Sequence, residues 1–132
     1  LSTKTIVYAD SGIQEGFILQ KAVINKASTP YKVAVEFSHA LDAKSVHKDA
    51  FRIYRTAEPT DEYQIADAQI DPNNSNIVIL TLNGEGLKDV KSSEVTLAVN
   101  AYESTDGIEY QIIDNKHRLL PEGSTVTLED QK

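Results

Sequence analysis

The most constraining feature of this sequence is the alternation of apolar and polar side chains along several short segments. Val33, Val35 and Phe37 alternate with polar or small neighbours, and residues 95–101 and 126–128 show the same period of two. Successive side chains of a β-strand point to opposite faces of a sheet, whereas a helix repeats about every 3.6 residues. The pattern therefore predicts half-buried strands.

Shorter runs rich in β-branched and aromatic residues add further candidate strands. They cover residues 5–8, 17–24, 51–55, 63–70, 77–82 and 109–113. Turn signals separate them, among them Glu58-Pro59-Thr60 and Asp106-Gly107. Together they predict an all-β, immunoglobulin-like antiparallel β-sandwich of about seven to nine strands. Residues 1–29 are the least constrained part, because the run 17–24 fits either a strand or a helix.

Residues 38–50 do not follow the alternation. Leu41, Val46 and Ala50 are spaced four to five residues apart, and Asp42 is a residue type that caps helices. We expect one short helical turn that crosses between the sheets. With 132 residues the chain matches one core, so residues 1–132 are predicted to form a single domain.

Composition excludes several classes of partner and chemistry. Thirteen Lys and Arg against 20 Asp and Glu give a formal charge of −7, which repels nucleic acid phosphates and anionic lipid headgroups. No apolar run approaches the roughly 20 residues that cross a bilayer, so no membrane insertion is expected. There is no Cys, which excludes disulfides and thiolate metal sites. There is also no Met, even at position 1, so we expect a fragment or a processed product.

No residue pattern indicates an enzyme. The three histidines are His39, His47 and His117, and none belongs to a His-Glu-x-x-His spacing or accompanies a Gly-x-Ser-x-Gly elbow. We expect each to be exposed or to serve in packing, with His47 exposed. The sequence predicts no catalytic residue, no metal ligand and no cofactor.

One loop leaves two interpretations open. Residues Asp71 to Asn76 are rich in the oxygen donors that calcium prefers, but they lack the repeat of an EF-hand loop. A plain hairpin turn explains them as well, because Asp and Asn hydrogen-bond their own backbone and tolerate left-handed geometry. We favour the turn over the calcium site.

Tyrosines are the best candidates for ligand binding. Tyr54 and Tyr63 flank one predicted loop, while Tyr102 and Tyr110 flank the Asp106-Gly107 turn. Flat rings at such positions can stack on the apolar face of a sugar, although the chain has no Trp. The alternative is that each tyrosine packs at a sheet edge with its hydroxyl in water.

The segment 33–54 resembles the bacterial Ig-like modules found in S-layer proteins, adhesins and secreted hydrolases. The shared phrase is a strand that ends in Phe37-Ser38, a Leu41-Asp42 step, a short helical turn and a strand containing Phe51. The resemblance extends over residues 31–107. Residues 41–51 are also similar to the Ig-like N-terminal domain of certain bacterial esterases. The long N-terminal portion and residues 109–118 depart from the pattern.

The resemblance implies a non-catalytic accessory module of a larger secreted or cell-surface bacterial protein. Such a module acts as a spacer, a positioning unit or a protein-binding domain, and its partners are neighbouring domains of the same polypeptide. Its core would hold Val33, Val35, Phe37, Phe51 and Ile53, with Leu41 and Val46 closing one end. The alternative is a carbohydrate-binding module of a secreted glycoside hydrolase that uses the tyrosine-bearing loops.

Overall fold

The computed structural model describes residues 16–132, whose regular elements are strands and short 3₁₀ turns. The strands, in chain order, are Leu19–Asn25 (β1), Lys32–Phe37 (β2), Phe51–Arg55 (β3), Glu58–Tyr63 (β4), Ile65–Asp71 (β5), Asn74–Leu82 (β6), Val95–Val99 (β7), Tyr102–Glu103 (β8), Glu109–Tyr110 (β9) and Ser124–Asp130 (β10). The 3₁₀ turns are Ala43–Ser45, Lys48–Ala50 and Ser92–Glu94. The predicted all-β class is confirmed.

Eight strands form one continuous sheet in the order β4-β3-β7-β10-β1-β2-β6-β5, and β8 and β9 form a separate ribbon. All neighbours in the large sheet are antiparallel except β1 and β10, which run parallel. The two edge strands, β4 and β5, follow each other in the chain with only Gln64 between them. The sheet therefore curls on itself into a sandwich whose halves are joined through the β1–β10 pair.

One hydrophobic core lies between the two halves. The predicted core residues are all buried, and the list is Val33, Val35, Phe37, Phe51 and Ile53. Phe37 also stacks on the buried ring of Phe17, with ring centroids 5.4 Å apart. Leu41 is buried and Val46 packs against the same cluster, as expected for residues that close one end of the core.

Strand β7 differs from its predicted half-buried pattern, because all five of its residues are buried. Thr96 and Ala98 lie on the outer face, and both are small. Their register partners on β3 are the longer side chains of Tyr54 and Arg52, which flank them. Thr96 also shares a 2.6 Å hydroxyl hydrogen bond with Thr56. Small residues beside the long side chains of β3 are covered even on an outward face.

Two predicted element boundaries are wrong. Glu58-Pro59-Thr60 lies inside β4 and is not a turn, because an edge strand tolerates proline, which has no ladder N–H to donate. The run 63–70 is not one strand, since the chain leaves β4 at Tyr63 and begins β5 at Ile65. That step takes the chain from one half of the sandwich to the other.

Other expectations have mixed outcomes. The ambiguous run 17–24 is a strand, β1, which begins at Leu19, and the helical segment is two 3₁₀ turns instead of one. Of the predicted strand 109–113, only β9 is formed as a strand. The predicted strand 5–8 lies outside the described residues. The immunoglobulin-like subtype and the single-domain assignment stay predictions.

The strand pairing defines two ends of the sandwich. β1, β3 and β10 begin, and β2 and β7 end, at the same end, because Leu19 lies opposite Phe37 and Val99 lies opposite both Phe51 and Ser124. We call this the entry end, since the described chain enters there. The last residues of β10 lie at the opposite end, which we call the exit end; there the Gln131 N–H donates to the Ile24 carbonyl over 3.1 Å.

Candidate functional site

The four tyrosines predicted to bind a ligand do not converge on one site. Tyr102 and Tyr110 are direct partners in the β8–β9 ribbon at the entry end. On the β3–β4 pair, Tyr54 lies opposite Glu62, while Tyr63 lies opposite Ile53. Because neighbouring positions alternate between faces, Tyr54 points outward and Tyr63 points toward the core.

Tyr102 stands in the middle of a stack of three rings. Its ring centroid lies 5.6 Å from that of Tyr110 and 5.1 Å from that of His47, with interplanar angles of 25° and 20°. We call His47, Tyr102 and Tyr110 the aromatic stack. Offset stacking at this spacing is a favourable arrangement of aromatic rings. Tyr102 contacts both other rings and is partly buried, whereas Tyr110 is the exposed tyrosine of the stack.

Local backbone geometry holds the two outer rings. His47 caps the 3₁₀ turn Lys48–Ala50, and its Nδ1 accepts a hydrogen bond from the Asp49 amide over 3.1 Å. Tyr110 follows the ribbon turn, in which Gly107 adopts a φ of 82° and the Asp106 carboxylate accepts from the Ser104 hydroxyl and the Ile108 amide. These hydrogen bonds lower the pKa of the exposed Asp106 carboxyl.

Burial is the main cause that raises the pKa of Tyr102, and the nearby Tyr110 and Asp49 raise it further. Its hydroxyl therefore stays neutral over the physiological range. His47 remains exposed, as the sequence predicted. The aromatic stack can offer a flat ring and the neutral Tyr102 hydroxyl to a ligand.

The other two tyrosines belong to the framework around β4. The Arg52 guanidinium lies 4.9 Å from the centre of the Tyr54 ring and donates to a Glu62 carboxylate oxygen over 2.9 Å. That hydrogen bond is the main cause that raises the pKa of Arg52. Tyr63 packs against the core, and a Cβ on Gly86 would lie 3.1 Å from its ring. Neither Tyr54 nor Tyr63 is part of the aromatic stack.

A groove at the entry end was not foreseen in the sequence. It encloses about 230 Å³ between the end of β7 and the segment that leads into β10. Its apolar lining is Val99, Ala101, Ile112, Leu119, Leu120 and Pro121. The run Leu119-Leu120-Pro121, placed just after charged residues and before a turn, is the sequence signal that could have indicated it.

A hydrogen-bonded loop, residues 114–118, supports the groove. The Asp114 carboxylate is fully buried and accepts from the Arg118 amide, the Arg118 Nε and the Lys116 amide over 2.7, 2.7 and 3.0 Å. On the other side, the Asn115 amide donates to the Ala40 carbonyl over 2.9 Å. The loop is thereby fixed against the segment that precedes β3.

The remaining candidates have local roles. The Asp71 carboxylate accepts from the Asn73 amide over 2.9 Å in the β5–β6 hairpin, as the turn interpretation predicted. His117 adopts a φ of 64°, and its amide donates to the Asp114 carbonyl. His39 is partly buried. Within residues 16–132, no group of three or more His, Asp or Glu side chains is placed to hold a metal ion.

The helical turns in residues 16–132 are too short to include a membrane-spanning helix. No protein-family model and no curated protein sequence matches the chain.

Solved structures share the fold. The N-terminal part of the bacterial S-layer protein SbsC superposes with a TM-score of 0.63 at 12% identity, over 89% of this chain and 24% of that one. Domains 1–6 of the surface layer protein SbsC give 0.61 at 12% identity, over 86% and 13%. The S-layer protein rSbsC(31-844) gives 0.63 at 10% identity, again over 86% and 13%. The chain thus spans a quarter or less of these proteins, and the likeness is one of fold.

Proposed function

We propose that this chain is a non-catalytic structural or accessory module of a larger secreted or cell-surface bacterial protein, where it spaces or positions its neighbours. The observation that carries the proposal is the path of the chain. It enters at one end of the sandwich, near Gly16, and leaves at the opposite end, after Asp130. A domain of this kind can be connected in series without the chain doubling back.

The pairing of β1 with β10 suits such a role. Ala22, Val23 and Ile24 lie opposite Leu128, Glu129 and Asp130 in a parallel register. Tension between the two ends pulls β1 toward the entry end and β10 toward the exit end, so the hydrogen bonds between them are loaded together in shear. Strands of six to nine residues also hold the ends about 20 to 30 Å apart.

The fold comparison supports the same role. The structures that share this sandwich are parts of longer S-layer chains, as their descriptions state. S-layer proteins belong to the cell surface, and the sequence resemblance described above indicates the same class of protein. A fold does not fix a function, so the proposal depends on the path of the chain as well.

A pulling experiment tests whether the module can hold its neighbours apart under tension. Attached through residues 16 and 131, a single molecule is expected to unfold at a clearly higher force than one attached through residues 16 and 123, which both lie at the entry end. The second geometry opens the β1–β10 pair one hydrogen bond at a time. Equal unfolding forces in the two geometries would contradict a module built to carry tension.

Exposure on the cell tests the location. Treatment of intact cells with a membrane-impermeant amine reagent should label the exposed lysines of the chain, with a cytosolic protein as the unlabelled control. Labelling that appears only after lysis would refute a secreted or surface protein.

One observation favours carbohydrate binding as a second candidate. Tyr102 and Tyr110 are stacked together at the exposed entry end, as an aromatic platform for a sugar requires. A glycan array tests it with Tyr110→Ala, which removes the exposed ring without opening the core, and with Tyr54→Ala as the matched control. Binding that is lost only in Tyr110→Ala supports the candidate, and no binding by the unaltered chain rejects it.

A further inference from the structure

The two ends of the sandwich differ in their surfaces. Among residues 16–132, the large apolar side chains that are exposed are Ile18, Ile108, Tyr110 and Leu119, with exposed fractions of 46, 51, 39 and 59%. All four belong to the entry end. Ile18 directly precedes β1, Ile108 and Tyr110 lie in the ribbon after β7, and Leu119 lines the groove beside Val99. Isolated exposed apolar residues are ordinary, but their concentration at one end indicates a contact surface.

We propose that this entry-end surface, formed by Ile18, Ile108, Tyr110, Leu119 and the groove, is the docking surface for the folded domain that precedes this chain in its polypeptide. The inference rests on the proposed function, because it requires a module connected in series. It adds which surface makes the contact and which neighbour it meets.

The path of the chain selects the preceding domain. The hydroxyl of Ser38 donates to the Gly16 carbonyl and accepts from the Ile18 amide, so the incoming chain is held at this end. A domain joined through residues 1–15 is confined close to the surface, which raises its effective concentration there. A domain that follows Lys132 starts from the exit end.

Charge indicates the chemistry of the partner. Between Val99 and Asn115 the chain has no Lys or Arg, while Glu103, Asp106 and Glu109 are exposed. The ribbon side of the surface is thus acidic, whereas the loop before Leu119 carries Lys116 and Arg118. The matching surface would be apolar, with Lys or Arg placed where it faces the ribbon.

Hydrogen exchange tests the proposal on two proteins: the 132-residue chain alone and the same chain joined to the domain that precedes it. In the joined protein, amides of residues 104–112 and 116–122 should exchange at least tenfold more slowly than in the chain alone. Residues 83–91, at the exit end, are the internal control and should exchange equally in both.

Two variants test whether the added protection depends on the entry-end surface. Leu119→Lys should abolish the added protection and leave the unfolding midpoint of the chain alone unchanged, because the side chain is largely exposed. Ala27→Lys introduces the same charge on an exposed residue at the exit end, and it should leave the protection intact. Equal loss of protection in both variants would contradict docking at the entry end.

If something other than the preceding domain covers the entry-end surface, the experiments give a different result. Each of the following results would overturn the inference. Protection already present in the chain alone and lost on removal of residues 1–15 would assign the surface to that segment. A dimer in sedimentation that Leu119→Lys dissociates would assign it to a second copy. A parent polypeptide with no folded domain on either side would refute the proposed function as well. Unchanged exchange beside a preceding domain would refute the docking surface alone.

Discussion

Arg118 donates to Asp114 twice, through its backbone amide and through Nε, at 2.7 Å in each case. The carboxylate has no exposed surface, although it lies near the outside of the molecule. The pair closes the loop 114–118, which Asn115 joins to the Ala40 carbonyl. One buried carboxylate therefore fixes the segment beside the entry-end groove to the rest of the fold.

Asp114→Asn should destabilise the protein at neutral pH by about 1 to 3 kcal/mol, because the amide replaces an acceptor that faces the Arg118 donor. Burial alone would raise the pKa of Asp114, but the hydrogen bonds from Arg118 and Lys116 and the Arg118 charge outweigh it and lower the pKa. A lowered folded-state pKa stabilises the native state above the unfolded-state pKa, and this contribution is lost as the pH falls through the folded-state pKa.

Urea unfolding of the unaltered chain and Asp114→Asn at several pH values checks this prediction. The difference between them should be largest at neutral pH and should shrink in acid. Asp67→Asn, an exposed carboxylate on β5, is the control and should behave as the unaltered chain does at neutral pH. A difference for Asp114→Asn that stays constant into acid would show that the charge of Asp114 does not contribute.

The central strands could be predicted from the sequence because each has one face toward solvent and one face toward the core. Val33 and Val35 are fully buried, as their alternation indicates. The outer face of β7 could not be predicted, since Thr96 and Ala98 are covered only by neighbours that the fold brings beside them. Pro59 misled the prediction because proline marks turns in sequence and is also permitted in edge strands.

The candidate site was predictable where partners are close in sequence. Tyr102 and Tyr110 flank the Asp106-Gly107 turn in the sequence, and in the structure their rings stack. The stacking of His47 on Tyr102 joins residues far apart in the chain, which no local pattern encodes. The sequence also grouped Tyr54 with Tyr63, but the strand register sends them to opposite faces.

Removal of a buried phenylalanine ring should strongly lower the free energy of unfolding. Phe37→Ala and Phe51→Ala should each lower the free energy of unfolding by about 3 to 5 kcal/mol, because both side chains are buried in the single cluster between the halves. Chemical denaturation measures the change, and Lys32→Ala, an exposed position on β2, is the control. A loss below about 1 kcal/mol for either phenylalanine would place its ring outside the core.

Ser45 joins two segments with one hydroxyl. Its Oγ donates to the Asp42 carbonyl over 2.8 Å and accepts from the Ile113 amide over 3.1 Å. Ser45→Ala would leave the Ile113 amide without this acceptor, so we expect a loss of about 1 to 3 kcal/mol in the free energy of unfolding. Lys44→Ala changes the exposed neighbour in the same 3₁₀ turn and should cost less. Equal losses would mean that the hydroxyl contributes no specific contact.

Calcium should leave the thermal unfolding midpoint unchanged, because the hairpin at Asp71 is organised by its own hydrogen bond. The Asp71 carboxylate already accepts from the Asn73 amide, and the next strand begins at Asn74, so the oxygen-rich residues are used in a turn and a strand. Asp71→Asn keeps an acceptor at this position and should shift the midpoint little in either buffer. A midpoint that rises with calcium in the unaltered chain and not in Asp71→Asn would reverse the assignment. A ligand that binds only the native state must stabilise it, so such a rise would require a site at this hairpin.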